Sequence, residues 1–373
     1  MKSSFKIYPM QTLLILACVI HTVLSSGGGL GSTHDSRMIE TLYRSQRQTA
    51  TCPFDAQISC SQSSKYRSPD GSCNNLQKPY YGKAGTPLKR LLPAEYDGEN
   101  TDSPRISGLP NPRAISLALS SDNSQEDSTR THIWTTFGQL LTHDIDQTAM
   151  ATVNGVKPSC SSCTVPDPNC LPIPLPANDT LSQTCLPFVR SSPSFSLDCS
   201  SLQRQQLNLI TPFLDASMVY GSDATRAASL RTFSGGRHVT SSGIEVERPY
   251  PSLAPNVCSA DNLSFKCFQS GDSRTSENLG LSGLHTLFVR EHNRVAGELA
   301  KVNSAWDDET LFQETRRIIG AVWQHIVFSQ YLPATIGAVN SAQYGLAPTV
   351  GSYFKGYNSS VGWPSFCCSA GQA

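Results

Sequence analysis

Long apolar runs are almost absent from this chain of 373 residues. The one clear example, Leu13–Ile20, is shorter than the roughly 20 residues that a membrane-spanning helix needs. It follows Lys2 and Lys6 and precedes small residues near Ser25, which is the arrangement of a cleaved secretory signal peptide. We therefore predict a signal peptide over residues 1–26, no transmembrane segment, and a secreted, extracellular protein.

Neither sign of charge is in excess, since Lys plus Arg and Asp plus Glu each number 29. The totals lack the basic balance typical of nucleic-acid binding, so we expect no nucleic-acid partner. A hydrophobic content of 38% is ordinary for a globular protein and excludes disorder of the whole chain. Internal repeats are also lacking. Residues 27–51 are polar and are predicted to be a linker or pro-segment, so that the folded domain begins near Cys52.

Cysteine is abundant, and every one of the 13 cysteines except Cys18 lies beyond the predicted signal peptide. In an oxidising compartment these cysteines are expected to form disulfides. Residues 156–200 are rich in Pro, Ser and Cys and are predicted to form a long loop pinned by such bridges. The alternative is a zinc knuckle formed by Cys160, Cys163 and Cys170. Three sequons predict N-glycosylation in the same compartment, at Asn178, Asn262 and Asn358.

The segment from Thr131 to Gln147 has the apolar spacing of a helix. One broad stripe of the helical wheel is apolar, and the opposite stripe carries polar side chains that include Gln139 and His143. Asp144 falls in the middle of the apolar stripe, where an unpaired carboxylate is costly. We therefore expect Asp144 either to be neutral or to lie beside a cation.

A second segment offers partners for such a cation. Thr211, Asp215 and Ser217 carry oxygen ligands at alternate positions, and alternate residues of an extended loop point the same way. Main-chain carbonyls, that of Phe213 among them, add further oxygens, which suits Ca²⁺. A capped turn without a metal is the alternative for this loop taken alone. Together with Asp144, the loop predicts a calcium site.

Helical spacing returns from Leu284 to Val302, and a second helical pattern begins at Asp307 and runs to Gln330, before Pro333. No β-hairpin signal of comparable strength is present. The fold class predicted from these patterns is mainly α, with long ordered loops.

Five further stretches of the chain form a set of motifs: Phe137–Asp144, Thr211–Gly221, Gly271–Glu277, Leu284–Arg294 and Tyr331–Pro333. Together these motifs resemble the animal haem peroxidases, most of all their peroxinectin and peroxidasin branches. The resemblance implies a helical domain over residues 52–360, a haem b cofactor, and hydrogen peroxide as one substrate. It also implies a small reducing substrate, halide, phenolic or a group of the matrix, and cell-surface or matrix proteins as partners.

The resemblance implies a role for each matching residue. His143 matches the base that moves a proton between the two peroxide oxygens, which suits a neutral imidazole near pH 7. Arg274 matches the fixed cation that stabilises the departing oxygen. Gln139 matches the residue that orients water or halide over the iron. Taken without the motifs, His143 is more often a surface or capped histidine, and Arg274 an arginine of an exposed loop.

Several positions depart from the family pattern. Thr142 stands where mammalian members carry an acid that esterifies the haem, whereas Glu277 matches the second ester-forming acid, so at most one covalent link is expected. Asn278 stands where one branch has a sulfonium-forming Met. The chain closes in an atypical tail, residues 361–373, before any helix that resembles the one carrying the family's proximal histidine.

We therefore expect a truncated peroxidase domain whose C-terminal part is missing. The alternative to an active peroxidase is a non-catalytic secreted fragment that acts as a decoy or adhesive module and lacks the proximal haem ligand. His285, His292 and His325 lie on predicted helices, but none matches the family's proximal position, and we interpret them as structural.

Overall fold

The computed structural model of the chain describes most of the region between Cys52 and residue 348. The described residues are 58–90, 92–97, 108–120, 126–164, 167–197, 203–241 and 267–348, together with Cys52, Phe54, Cys199, Tyr250 and Pro251. The predicted signal peptide, the predicted linker, the tail, Asn262 and Asn358 lie outside them. Within these ranges, no helix is both long enough and apolar enough to cross a membrane.

Helices dominate the described residues, which confirms the predicted fold class. They are α1 (Pro112–Leu119), α2 (His132–His143), α3 (Ser217–Tyr220), α4 (Ala224–Ser229), α5 (Leu279–Val302), α6 (Asp308–Ile326), α7 (Leu332–Ile336) and α8 (Ala338–Gln343). A π-helical turn, Val327–Tyr331, joins α6 to α7. Pro333 is the second residue of α7, and because proline has no N–H, the regular α-helical bonding of α6 cannot continue through this point.

The strands are short, and all are antiparallel. They are β1 (Thr86–Pro87), β2 (Ile173–Pro174), β3 (Cys185–Leu186), β4 (Pro193–Ser194), β5 (Gln205–Asn208), β6 (Thr240–Ser241) and β7 (Tyr250–Pro251). A three-stranded sheet has the order β1-β5-β4, with Thr86 opposite Asn208 and Pro193 opposite Gln206. Pairs β2-β3 and β6-β7 form two further sheets, with Ile173 opposite Leu186 and Thr240 opposite Pro251.

The two long helices begin at side chains that cap them. The Asn278 side chain accepts a hydrogen bond from the Leu281 N–H at the start of α5. Asp307 does the same for the Thr310 N–H at the start of α6, and Asp308 and Glu309 place negative charge in the first turn, where the helix dipole favours it. These contacts confirm the start that the sequence predicts for the second helix.

The hydrophobic core lies where α2, α5 and α6 meet. Leu140, Leu281, Ile319 and Trp323 are completely buried there. Burying a side chain of this size stabilises the fold by about 1.5–3 kcal/mol, before the cost in conformational entropy is subtracted. The C-terminal end of α2 is therefore fixed within the core, between α5 and α6.

The prediction for α2 was wrong in two respects. The helix ends at His143 instead of continuing to Gln147. Asn208 of β5 explains the end, because its side chain accepts from the Gln147 N–H at 2.8 Å and donates to the Ile145 carbonyl at 3.0 Å. The predicted polar stripe is also buried at Thr136 and His143, whereas Ile133 of the apolar stripe is 52% exposed.

Close packing of α5 against α2 accounts for the buried polar stripe. A Cβ atom added at Gly280, in the first turn of α5, would lie 2.8 Å from Cγ2 of Thr136. Only glycine permits this approach, so the polar side of α2 is covered by another helix instead of by water.

Four disulfides are described, and they confirm the expectation of an oxidised cysteine framework. Cys160 pairs with Cys170 and Cys163 pairs with Cys185, so these residues do not form a zinc knuckle. The other pairs are Cys52–Cys199 and Cys60–Cys73. The bridges Cys160–Cys170 and Cys163–Cys185 lie within residues 156–200, the loop that the sequence predicts to be pinned by disulfides.

Two buried histidines pack beside Tyr220 in a second polar cluster. The rings of His238 and His292 have centroids 4.4 Å apart, and the Tyr220 hydroxyl contacts His292 Nδ1 at 2.8 Å. His292 Nε2 lies 2.9 Å from the Gly236 carbonyl, which can only accept, so Nε2 carries the proton and Nδ1 accepts from Tyr220. Burial lowers the pKa of His238 to about 4, and it lowers the pKa of His292 well below its ordinary range.

These histidines should make the fold sensitive to acid. The unfolded chain binds protons near pH 6.5 whereas the folded chain does not, so stability is full above that pH and is lost as the pH falls toward 4. Between pH 7 and pH 5 we expect His238 alone to remove about 2 kcal/mol from the free energy of unfolding. Urea titrations across this range measure the slope. His238→Asn, which keeps a donor for the Leu230 carbonyl, should flatten it, and an unchanged slope would contradict this assignment.

Candidate functional site

Asp144 directly follows α2 and is completely buried. Its carboxylate accepts from the Ser217 N–H at 2.6 Å, the Ser217 hydroxyl at 2.7 Å, the Ala216 N–H at 3.2 Å and the Trp323 indole N–H at 2.7 Å. These four donors come from the first residue of α3, from the residue before it and from α6. The carboxylate therefore joins three separate parts of the fold.

Asp215 lies beside Asp144 in the same buried region. Both of its oxygens lie 3.1 Å from the Thr211 hydroxyl, and Oδ1 also accepts from the Ser217 N–H. Burial raises the pKa of Asp144 well above its ordinary range, and the negative charge of Asp215 raises it further. Burial also raises the pKa of Asp215, although Arg316 and Arg67 oppose this rise. Two adjacent buried carboxyls are thus costly to ionise unless a cation is added.

His143, the last residue of α2, has no exposed surface. Its two ring nitrogens face two carboxylates, with Nδ1 3.9 Å from Asp272 Oδ1 and Nε2 3.7 Å from Glu277 Oε2. The imidazole therefore lies between a buried acid and a partly exposed one, at distances longer than a hydrogen bond. A positive charge formed on this ring would be stabilised by Asp272.

Arg274 is fixed by the same Asp272. Its Nε and Nη2 atoms donate to the two carboxylate oxygens at 2.9 and 2.8 Å, which is a bidentate pair. Nη2 also lies 3.1 Å from the Asp146 carbonyl and 3.5 Å from the His143 carbonyl. Burial opposes ionisation of Asp272, but the adjacent guanidinium outweighs it and holds the pKa of this carboxyl well below its usual range.

Gln139 lies one turn before His143 and contacts the start of α5. Its Nε2 donates to Glu277 Oε2 at 3.2 Å, and its Oε1 accepts from Asn278 Nδ2 at 3.0 Å. Burial raises the pKa of Glu277, which the nearby Arg274 opposes. Thr142 does not take part, because its hydroxyl donates to the Gly138 carbonyl of its own helix.

The residues singled out in the sequence thus form two groups. The first group lies at the end of α2 and consists of His143, Gln139, Arg274 and Glu277. The second group surrounds the buried Asp144 carboxylate and consists of Asp144, Thr211, Asp215 and Ser217. Phe213 is buried in the same loop, and Asn178 is exposed in the loop after β2. No cluster of three or more His, Cys, Asp or Glu side chains suited to a metal ion occurs among the described residues.

Sequence reasoning missed Asp272 and Trp323, and it singled out Asn278 without predicting its contact with Gln139. Asp272 anchors Arg274, Asn278 holds Gln139, and Trp323 donates to Asp144. The one signal available for Asp272 was its place two residues before Arg274 in the motif Gly271–Glu277. Trp323 lies 179 residues from Asp144, and nothing local indicates that contact.

Asp146 contributes a further buried carboxyl near Arg274. Burial raises the pKa of Asp146 to about 6, although the Arg274 charge opposes the rise. On α5, burial lowers the pKa of His285 to about 4, so this completely buried imidazole is neutral. The region around His143 therefore combines one permanent cation with acids of different strength.

Comparison with known proteins shows the family. The sequence model of the animal haem peroxidases matches residues 66–366. The mouse peroxidasin homolog is 38% identical over 326 residues, which cover 80% of this chain and 22% of that protein. Lactoperoxidase of Mesocricetus auratus is 38% identical over 332 residues, or 82% of this chain and 46% of that protein. The chain belongs to the animal haem peroxidase family.

A solved structure supports the same fold. Peroxidase A from Dictyostelium discoideum superposes with a TM-score of 0.61 at 25% sequence identity, over 78% of this chain and 56% of that one. The chain thus spans about half the length of the lactoperoxidase and of this solved structure, and a smaller part of peroxidasin.

Loss of Asp272 should destabilise the fold, because it leaves the Arg274 guanidinium buried without its carboxylate. For Asp272→Asn we expect a loss of about 3 kcal/mol in the free energy of unfolding, as for other broken buried ion pairs. Chemical denaturation measures it. The matched control is Glu298→Gln, which removes an exposed pair with Lys301 and should leave the free energy of unfolding nearly unchanged. An equal change in the free energy of unfolding in both variants would contradict the expected contribution of the buried Asp272–Arg274 pair.

Proposed function

We propose that this chain provides the peroxide-binding side of a secreted haem peroxidase, which reduces hydrogen peroxide and oxidises a halide, phenolic or matrix substrate. The observation that carries the proposal is the position of His143 between Asp272 and Glu277, beside an arginine that Asp272 fixes. A proton acceptor and a permanent cation are the two groups that cleavage of the O–O bond needs.

The residues present fit a haem. The donor set combines an imidazole, an amide and a guanidinium on one side, with a partly exposed carboxylate, Glu277, available for an ester bond. The chemistry that haem b supplies when bound is peroxide binding and electron transfer at the iron. Glu277 is the one proposed covalent attachment, since the Thr142 hydroxyl cannot form an ester of this kind and donates within its own helix.

His143 is proposed to move the proton. A neutral imidazole takes the proton from the first peroxide oxygen and delivers it to the second, which leaves as water. The transient imidazolium is stabilised by Asp272, whose Oδ1 is 3.9 Å from Nδ1. Nε2 is then the atom that exchanges the proton with peroxide, on the side of Glu277 and Gln139.

Arg274 is proposed to stabilise the negative charge that develops on the departing oxygen. Its own pKa is raised because the attraction of Asp272 exceeds the cost of burial, so the guanidinium stays charged throughout. Its three fixed acceptors hold it in place, and little reorganisation is needed when charge develops. Gln139 is proposed to orient the ligand beside these two groups.

Removal of the base tests this proposal. In the chain expressed with haem, His143→Ala should slow peroxide consumption with a phenolic donor by at least about 100-fold, which is the usual contribution of a general acid–base. His325→Ala is the matched control, because His325 is exposed on α6 and should have no effect. A bound haem that turns over peroxide equally fast in both variants would refute the role of His143.

We also infer a calcium site at Asp144 and Asp215. Two buried carboxyls, the hydroxyls of Thr211 and Ser217 and the carbonyl of Phe213 form the oxygen-rich set that Ca²⁺ prefers. The raised pKa values of both acids support a cation between them, because it would remove their mutual repulsion. Such an ion would hold the end of α2 against the loop before α3.

Calorimetric titration with Ca²⁺ tests the site. We expect one bound ion per chain and a rise in the unfolding temperature, as binding to the folded state alone requires. Asp215→Asn should weaken binding by at least about tenfold, since it removes a charged ligand. Asp127→Asn is the control, because Asp127 is exposed and contacts Thr129 and Arg130 instead. Unchanged binding in Asp215→Asn would place the ion elsewhere.

A further inference from the structure

We propose that Asn278 is a positioning residue that sets the hydrogen-bond polarity of Gln139, and through it the kind of ligand that the site accepts. This inference rests on the proposed function, because only there does Gln139 face a ligand. It concerns a residue that departs from the family pattern, since one branch carries Met at this position.

The start of α5 fixes the orientation of the Asn278 amide. A backbone N–H can only donate, and the Leu281 N–H points at the Asn278 side chain at 2.9 Å. The atom that receives it must therefore be the oxygen, Oδ1. The nitrogen of the same amide, Nδ2, is left to face Gln139.

The orientation of the Asn278 amide in turn fixes the orientation of the Gln139 amide on α2. Asn278 Nδ2 is a donor, so the Gln139 atom that it meets at 3.0 Å must be the oxygen, Oε1. The amide nitrogen of Gln139 then faces the opposite way and donates to Glu277 Oε2 at 3.2 Å. The same Glu277 oxygen lies 3.7 Å from His143 Nε2. Gln139 thus presents a donor, not an acceptor, to the space beside the catalytic imidazole.

Close packing keeps this chain of contacts in register. Gly280 brings the first turn of α5 against Thr136 of α2, and a Cβ atom there would lie 2.8 Å from Thr136 Cγ2 and 3.3 Å from Asn278 Oδ1. The two helices cannot slide apart or together by much without disturbing this contact. The residue that caps α5, Asn278, therefore directly fixes the side chain of Gln139 on α2.

The consequence is selectivity for ligands that accept hydrogen bonds. Hydroperoxide, halide and cyanide anions are all acceptors, and an amide nitrogen stabilises them. Without the Asn278 donor, the Gln139 amide is free to turn by 180° and present its oxygen, which repels anions. The hydrogen bond to Asn278 removes that alternative.

Three variants separate polarity from helix capping. Asn278→Asp keeps a capping oxygen but presents a second oxygen to Gln139, so it should reverse the Gln139 amide. Asn278→Ser also keeps a cap, adds no charge, and replaces the Nδ2 amide that reaches Gln139 with a shorter hydroxyl. Asp307→Ala is the matched control, because it removes the N-cap of α6 and leaves Gln139 untouched.

The first readout needs no haem. In ¹H–¹⁵N spectra of the full chain, the side-chain NH₂ signals of Gln139 are assigned from their loss in Gln139→Leu. Adding Glu277→Gln should shift these signals in the unchanged protein and in Asp307→Ala. The shift should be lost in the Asn278→Asp background and reduced in Asn278→Ser. An equal shift in all four backgrounds would overturn the proposal.

The second readout uses the chain loaded with haem and cyanide as the probe. We expect the dissociation constant for cyanide to rise about tenfold in Asn278→Asp and about threefold in Asn278→Ser, the range of one hydrogen bond weakened or lost. Asp307→Ala should leave it unchanged while it lowers the unfolding temperature. If the loaded chain does not react with peroxide, the proposed function fails, and the spectra still decide the role of Asn278.

Discussion

The burial of the Asp144 carboxylate is the constraint on which the rest of this structure depends. Four donors from the start of α3, the residue before it and α6 surround it, and their contacts range from 2.6 to 3.2 Å. Because Asp144 directly follows His143, the bonds that hold the carboxylate also fix the backbone of the histidine. The Asn208 side chain then hydrogen-bonds to the backbone of Ile145 and Gln147, so α2 does not extend through these residues. The position of the imidazole thus follows from contacts that it does not itself make.

Charge balance around His143 depends on a second buried acid. Asp272 is ionised because Arg274 lies within bonding distance of both of its oxygens, and Arg274 remains charged for the same reason. The pair is held by the carbonyls of His143 and Asp146, which belong to the segment that Asp144 fixes. Removing the carboxylate of Asp144 or that of Asp272 would therefore also disturb residues that it does not itself contact. This mutual dependence is typical of sites in which geometry is set before the ligand binds.

The sequence predicted the elements whose signals are local. Helical spacing and the capping residue Asp307 placed α6. The motifs singled out His143, Asp144 and Arg274, and the structure brings these residues close together, with Arg274 Nη2 3.5 Å from the His143 carbonyl. The end of α2 was not predictable, because its cause is the Asn208 side chain of a distant strand. The burial of Thr136 was also missed, since a helical wheel assumes that one face meets water, whereas α5 covers the polar face here. The contact of Asn278 with Gln139 escaped for a similar reason, because Gln139 lies on another helix. Asp272 escaped although Arg274 is only two residues away, since the spacing alone does not show that this carboxylate is buried.

The segment Ser217–Met218 contacts both groups of candidate residues. Ser217 donates to Asp144, and the next residue, Met218, accepts at its carbonyl from the Asp272 N–H at 3.1 Å. Gly271 lies against this segment so closely that a Cβ atom there would overlap the Ser217 carbonyl oxygen. A movement of the loop that carries Thr211 and Asp215 must therefore displace both Asp144 and Asp272, and with them His143 and Arg274. Occupancy of the proposed cation site and alignment of the proposed peroxide site are for this reason expected to change together.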